Sequence, residues 1–319
     1  MVTGTVYGVG GGVYRVHLDS GFVVDASLRG RLKQESRKGD RVVIGDRVEV
    51  AVDSAEGGTI EEVLSRRSEV VRRGPGGRRP KVVAANVDRM GIVVSAARPE
   101  PRQALLDRLL VIGESNGLEP FLVMNKIDLV PGLDRASSDE LGDRGEGHPP
   151  VHRRLVDLYR QLGYRVLEAS AVSGQGIEKL KGILCQGTSA LLGPSGVGKS
   201  SLLNAIQPSL SLRTGELSHR QGRGRHTTVN ARLIPLTCGG IVADTPGFSD
   251  AGVWGVAPGE LEACFPEFHP AREECSFRGC THLHEPGCGV QDALERGEID
   301  EQRFSSYRTM VEEAKEGSR

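Results

Sequence analysis

The order of two short motifs constrains this chain more than any other feature. Asn125-Lys126-Ile127-Asp128 has the residue types that recognise a guanine base, and Gly193-Pro194-Ser195-Gly196-Val197-Gly198-Lys199-Ser200 has those of a phosphate-binding loop. In an ordinary guanine-nucleotide domain the phosphate loop comes first and the base motif last. Here the base motif leads. Both have to meet around one ligand, so the sequence predicts a circularly permuted domain. Permutation keeps the assembled site but moves the chain termini to new places on the surface.

Each motif sits where its chemistry needs it. Ser189-Ala190-Leu191-Leu192 reads as a buried strand feeding the phosphate loop, with a helix after it. Gly193, Gly196 and Gly198 let backbone N–H groups close around phosphates, and the helix N-terminus adds a favourable dipole. Ser195, Val197 and Ser201 complete the expected phosphate contacts. Lys199 is expected to reach the β- and γ-phosphates, and the Ser200 hydroxyl to bind Mg²⁺. The Asp128 carboxylate can accept two hydrogen bonds from guanine N1–H and the 2-amino group, whereas adenine would leave that charge unpaired. Lys126 is expected to lay its stem along the base, and Asn125 to hold the loop near O6.

Three further segments fit the same site. Glu168-Ala169-Ser170-Ala171 follows a strand and fits the fifth motif of such domains, with Ser170 in it and the Ala171 backbone near guanine O6. Asp244-Thr245-Pro246-Gly247 ends an apolar strand, so Asp244 would hold a metal-bound water and Gly247 would sense the γ-phosphate through its N–H. Arg223-Gly224-Arg225-His226-Thr227-Thr228 offers two threonines for a switch that closes on Mg²⁺, Thr228 or its neighbour Thr227. Ras-like proteins follow the Asp-x-x-Gly motif with a glutamine that orients the attacking water. Phe248 stands there instead, so intrinsic hydrolysis should be slow, and His226 is the nearest group able to act in catalysis.

The 319 residues allow two or three domains, and 38% hydrophobic content with net charge −1 describes a globular chain. No apolar run approaches a membrane span. Met1 to Gly12 lacks the basic and apolar regions of a signal peptide, so a cytoplasmic location is expected. Short apolar stretches separated by glycine-rich turns over the first sixty-odd residues predict a small barrel, of the oligonucleotide-binding or the SH3-like kind. Arg66 to Lys81 holds seven basic residues against Glu69, and with Gly74-Pro75-Gly76-Gly77 it reads as a basic linker. Beyond it, strands alternate with amphipathic helices in a doubly wound α/β pattern. Residues 132–148, rich in Gly, Asp and Ser, read as a mobile insertion. The organisation expected is a barrel over 1–66, a basic linker over 67–82, a permuted nucleotide domain over 83–254 and a metal-binding helical domain over 255–319.

Near the C-terminus Cys275, Cys280, His282 and Cys288 offer three thiolates and an imidazole, a tetrahedral set for one structural zinc ion. His284 and Cys264 are alternative ligands. Cys185, Cys238 and Cys264 are scattered and read as small apolar residues. A helix is expected over roughly 299–315.

Together these features resemble the RsgA, or YjeQ, family of ribosome small-subunit-dependent GTPases. Further matches are Ala85-Asn86-Val87-Asp88, Gly222 through Thr228, Asp244 through Phe248, Phe265-Pro266-Glu267-Phe268 and His284-Glu285-Pro286-Gly287-Cys288. Val229 departs from the family, which usually has a third threonine there. The resemblance implies a GTP hydrolase stimulated by the 30S subunit, and a monomer is expected. It implies a late-stage assembly factor that binds 16S rRNA, is released after hydrolysis, and uses His226 once the subunit positions it. An RNA-binding checkpoint protein, in which GTP sets affinity and hydrolysis is incidental, is the competing reading. A GTPase acting on a membrane complex finds no amphipathic anchor in its favour.

Overall fold

Alternation builds the N-terminal unit. The computed structural model describes residues 1–38, 41–53, 57–73, 80–130, 150–212, 231–244 and 256–317. In β3 (Val23–Leu28), Val24, Ala26 and Leu28 face inward, as Tyr14, Val16 and Leu18 do in β2 (Val13–Leu18). With β1 (Val2–Gly10), β4 (Arg47–Val52) and β5 (Gly57–Val63) they enclose a core that includes Val6, Val48, Val50 and Ile60. The order β1-β2-β3-β5-β4 closes through a β1–β4 pairing, and α1 (Gly30–Lys38) lies between β3 and β4. That is the five-stranded Greek-key barrel of oligonucleotide-binding proteins, which removes the SH3-like alternative.

The stretch read as a linker is paired structure. β6 (Glu69–Arg73) and β7 (Pro80–Ala85) form an antiparallel hairpin, and Val70 and Ala84 are buried in the core of the following domain. Its charge is also partly internal. Arg66 gives Asp46, a fully buried carboxylate, two hydrogen bonds of 2.7 and 3.0 Å, and Arg67 pairs with Asp88 at 3.1 Å. Arg66 is thus drawn inward, which composition cannot see because its partner lies twenty residues away. Gly74-Pro75-Gly76-Gly77 and the insertion over 132–148 lie outside the described residues.

Asn86 joins barrel and hairpin. Its Nδ2 donates to Gly45 O at 2.8 Å, and its Oδ1 accepts from Arg67 N at 2.9 Å. At Gly45 (φ +86°) a side chain would meet Ala85 O at 1.9 Å, so only glycine permits this approach.

The second domain is a doubly wound sheet. In chain order it contains β8 (Arg89–Ser95), α2 (Gln103–Ser115), β9 (Glu119–Asn125), α3 (Val151–Gln161), β10 (Arg165–Glu168), α4 (Ile177–Leu184), β11 (Thr188–Leu192), α5 (Lys199–Ile206), β12 (Arg232–Pro235) and β13 (Ile241–Asp244). Its strand order is β10-β9-β8-β11-β13-β12, parallel except for β12. Apolar clusters cover both faces, which explains why Ile92, Val93 and Val94 are all buried in one run. β12 also touches β1 of the barrel at Gly8↔Arg232, so the two sheets are continuous.

Two cysteines read as inert are bonded. Cys185, at the end of α4, and Cys238, in the β12–β13 turn, form a disulfide with Cα atoms 5.4 Å apart. A separation of 53 residues hid the pairing. The reducing poise of a cytoplasm would act against such a bond. Cys264 is buried and free, as its apolar reading expects, and burial pushes its thiol up to about 12.

The C-terminal unit contains α6 (Phe268–Arg272), α7 (Gly289–Glu295) and α8 (Glu301–Gly317), with a core of Phe265, Phe268, Tyr307 and Met310 that also takes in Val111 of α2. Arg303 of α8 is fully buried at this junction. It donates to Asp107 of α2 at 2.8 Å and to both oxygens of Glu267 at 2.6 and 3.0 Å, and its guanidinium lies 4.5 Å from the Phe265 ring centre. Tyr159 of α3 donates to the same Asp107 oxygen at 2.6 Å.

Candidate nucleotide and metal sites

Four loops of the predicted site leave the same edge of the sheet. The base motif follows β9, the Ser170 segment follows β10, the phosphate loop follows β11, and Asp244 ends β13. These are the C-terminal ends of parallel strands, where doubly wound folds bind ligands.

The phosphate loop takes its shape from positions only glycine can fill. A side chain at Gly193 (φ +143°) would meet Val93 O at 2.0 Å, and one at Gly198 (φ +98°) would meet the Asn125 Nδ2 at 2.4 Å. The second contact shows how closely the two motifs approach. Asn125 Nδ2 donates to Val197 O at 2.8 Å, and Lys126, itself left-handed at φ 62°, donates through Nζ to Gly196 O at 2.6 Å and to Arg98 O at 2.7 Å. Asn125 Oδ1 is buried and has no hydrogen-bond partner among the described residues, so an acceptor remains available where a ligand donor could lie.

The base end is braced from the neighbouring strand. Ser170 donates to the exposed Asp128 carboxylate at 2.5 Å, while its oxygen accepts from the N–H groups of Val172 (3.1 Å) and Ser173 (3.0 Å). Ala171 lies in the turn between them. At the phosphate end Lys199 opens α5 and donates to Gly193 O at 2.6 Å and Pro194 O at 3.0 Å. Burial lowers its pKa to about 8, against the opposing pull of Asp244. Ser200 is buried in the first turn of the same helix, followed by the half-buried Ser201. Asp244 is raised by burial, and Arg232, its cross-strand partner at 3.6 Å, opposes that shift. Ser195 lies exposed on the loop and Val197 is buried beneath it. His226, Thr227, Thr228, Gly247 and Phe248 lie outside the described residues.

The metal set converges. The ligand atoms of Cys275, Cys280, His282 and Cys288 all lie within 4.8 Å of one another, and neither His284 nor Cys264 joins them. His282 Nδ1 is 3.3 Å from the Cys288 sulfur and 3.6 Å from that of Cys275, and the two sulfurs are 4.0 Å apart. Zinc bound to sulfur at about 2.3 Å sets tetrahedral edges of roughly 3.7 Å, so the set can hold that ion with no position left for water. Glu285 shapes the loop by accepting from Thr281 N at 2.9 Å and Oγ1 at 2.6 Å, and from the backbone N–H groups of Leu283 and His284 at 3.2 and 3.3 Å. Tyr307 of α8 ties it down through Thr281 O at 3.0 Å. The four side chains that sequence reasoning grouped do cluster, but it missed Glu285, whose role depends on a turn that spacing does not reveal.

A sheet with this strand order, carrying a guanine-type motif before its phosphate loop, defines a circularly permuted GTPase. The family model of the RsgA GTPase matches residues 63–254, and the chain belongs to that family. Small ribosomal subunit biogenesis GTPase RsgA of Gemmatimonas aurantiaca is 43% identical over 308 residues, covering 96% of this chain and 95% of its own. The protein of the same description from Moorella thermoacetica is 43% identical over 303 residues, covering 95% and 94%. Among solved structures, YjeQ from Thermotoga maritima superposes with a TM-score of 0.76 at 35% identity, covering 98% of each chain. YloQ, described as a circularly permuted GTPase, gives 0.70 at 30% identity, covering 99% of this chain and 96% of that one. Among the described residues no helix is long and apolar enough to cross a membrane.

Proposed function

We propose that this GTPase acts in the cytoplasm, as a monomer, on the small ribosomal subunit. It binds 16S rRNA near the end of assembly, hydrolyses GTP when the 30S subunit activates it, and leaves afterwards. The observation that carries the nucleotide part is the contact of Asn125 and Lys126 with the phosphate loop, which gives base and phosphates a single framed site. The ribosomal part is supported by relatives named for small-subunit biogenesis at 43% identity over nearly the whole chain.

The residues divide the work as follows. Asp128, set by Ser170, reads the guanine edge, with Asn125, Lys126 and Ala171 around the base. Gly193, Ser195, Gly196, Val197, Gly198 and Ser201 offer the phosphate cradle, Lys199 pairs with the phosphates, and Ser200, Asp244 and Thr228 or Thr227 face Mg²⁺. That ion, held with GTP, neutralises charge developing on the phosphates. Gly247 senses the γ-phosphate and His226 serves hydrolysis. Cys275, Cys280, His282 and Cys288 hold one structural zinc ion per chain. By task the chain divides into a barrel (1–66), a connector (67–82), the GTPase domain (83–254) and the zinc domain (255–319). The barrel and zinc domain grip RNA through phosphate contacts and shape.

GTP turnover with and without purified 30S subunits tests the reading. Marked acceleration by 30S subunits is expected. Turnover that the subunit leaves unchanged would favour the checkpoint reading, in which GTP sets RNA affinity and hydrolysis is incidental.

A further inference from the structure

The metal loop meets the chain that arrives from the nucleotide site at one charged residue. After Asp244 the next described residues start at Val256, and they lead into a 3₁₀ turn, Glu262–Cys264. Leu261, Cys264 and Phe265 around that turn are buried in the same cluster as Val111 of α2, so the turn is seated on the GTPase domain. Glu262 points the other way, to His282: its Oε2 lies 3.3 Å from the imidazole Nε2, in a pair whose histidine is 1% and whose glutamate is 18% exposed.

His282 uses its two nitrogens differently. Nδ1 faces the sulfurs of Cys275 and Cys288, so it is the nitrogen turned toward the ion. Nε2 must then carry the proton; it is buried and makes no hydrogen bond among the described residues, with the Glu262 carboxylate 3.3 Å away as an acceptor it can close on. A metal-bound imidazole whose second N–H meets a carboxylate is held in one tautomer and one ring orientation, and becomes a stronger donor to the ion. Glu262 is itself fixed from its far side, where Arg272 of α6 approaches Oε1 at 3.1 Å.

We propose that Glu262 is a positioning residue of the metal centre, fixing His282 as an Nδ1 ligand and tying the centre to the turn seated on the GTPase domain. The proposal rests on the zinc reading above. Through His282 it gives the metal loop a charged contact with the turn that sits on α2.

Zinc affinity of the full-length chain, measured by competition with a chromogenic chelator, tests it without any need for GTP hydrolysis. Glu262→Ala is expected to bind zinc about 10- to 100-fold more weakly. Glu262→Gln, whose amide oxygen can accept the same N–H, should stay within a few-fold of the parent, which separates loss of the acceptor from general damage. Equal affinity for the parent and Glu262→Ala, or a glutamine variant as weak as the alanine one, overturns the proposal. Cys280→Ser is the control for the zinc reading itself: if it binds zinc as tightly as the parent, the ligand set is wrong and Glu262 is not the cause.

Discussion

Asp128 and Ser170 lie 42 residues apart, yet their 2.5 Å hydrogen bond ties the carboxylate proposed to read the base to the turn after β10. A carboxylate fixed in this way can select guanine because both of its acceptors are aimed before the base arrives. Asp128→Asn should therefore lower GTP affinity by about a hundredfold or more and favour xanthosine triphosphate, since an amide cannot accept both guanine donors. Fluorescent-nucleotide titration would detect this, and an unchanged GTP affinity would remove Asp128 from the base site. At the other end, Lys199→Ala and Ser200→Ala should each abolish measurable hydrolysis; full turnover in either would contradict the phosphate-loop assignment. These residues were legible in the sequence because each motif is local. Glycines, lysine and serine lie within one turn of chain, and the strand before them shows as an apolar run. Ser170 as the brace of Asp128 was less visible, since it requires knowing that β10 lies beside β9.

At the scale of elements, the contacts that hold the units together come from side chains far apart in sequence. Arg303 and Asp107 are 196 residues apart, and their pair is completely buried. Removing one member of a buried ion pair strands the other's charge, at a cost of about 3–5 kcal/mol. Arg303→Ala should thus destabilise the docking of α8 on α2 by that order, read as a lower urea midpoint for unfolding; a midpoint equal to the parent's would show that the network contributes nothing net. The same distance in sequence explains what the motifs left unseen. The hairpin β6–β7 looked like a linker because its strands are short and the chain around them is arginine-rich, while the partners of Arg66 and Arg67 come from the barrel and from Asp88. The Cys185–Cys238 bond was missed for the same reason, and the barrel's type was settled only by its strand order and the β1–β4 closure. Helices were easier: the one expected over roughly 299–315 appears as α8, Glu301–Gly317.

For the whole molecule, permutation has a mechanical result. Because the base motif leads, the strand β13 that carries Asp244 is the last of the sheet, and the next element described in sequence belongs to the C-terminal unit with the Cys/His cluster. On the other side, β12 touches the barrel at Gly8. One proposed RNA-binding unit thus touches β12, and the other follows β13 in sequence and packs on α2. This layout supports the account's central claim, that the nucleotide sets the grip on the ribosome. Co-sedimentation of the full-length chain with purified 30S subunits tests it most directly, comparing a non-hydrolysable GTP analogue with GDP. The account predicts stable association with the analogue and loss of the protein from the subunit pellet with GDP. Equal recovery in both nucleotides would contradict it.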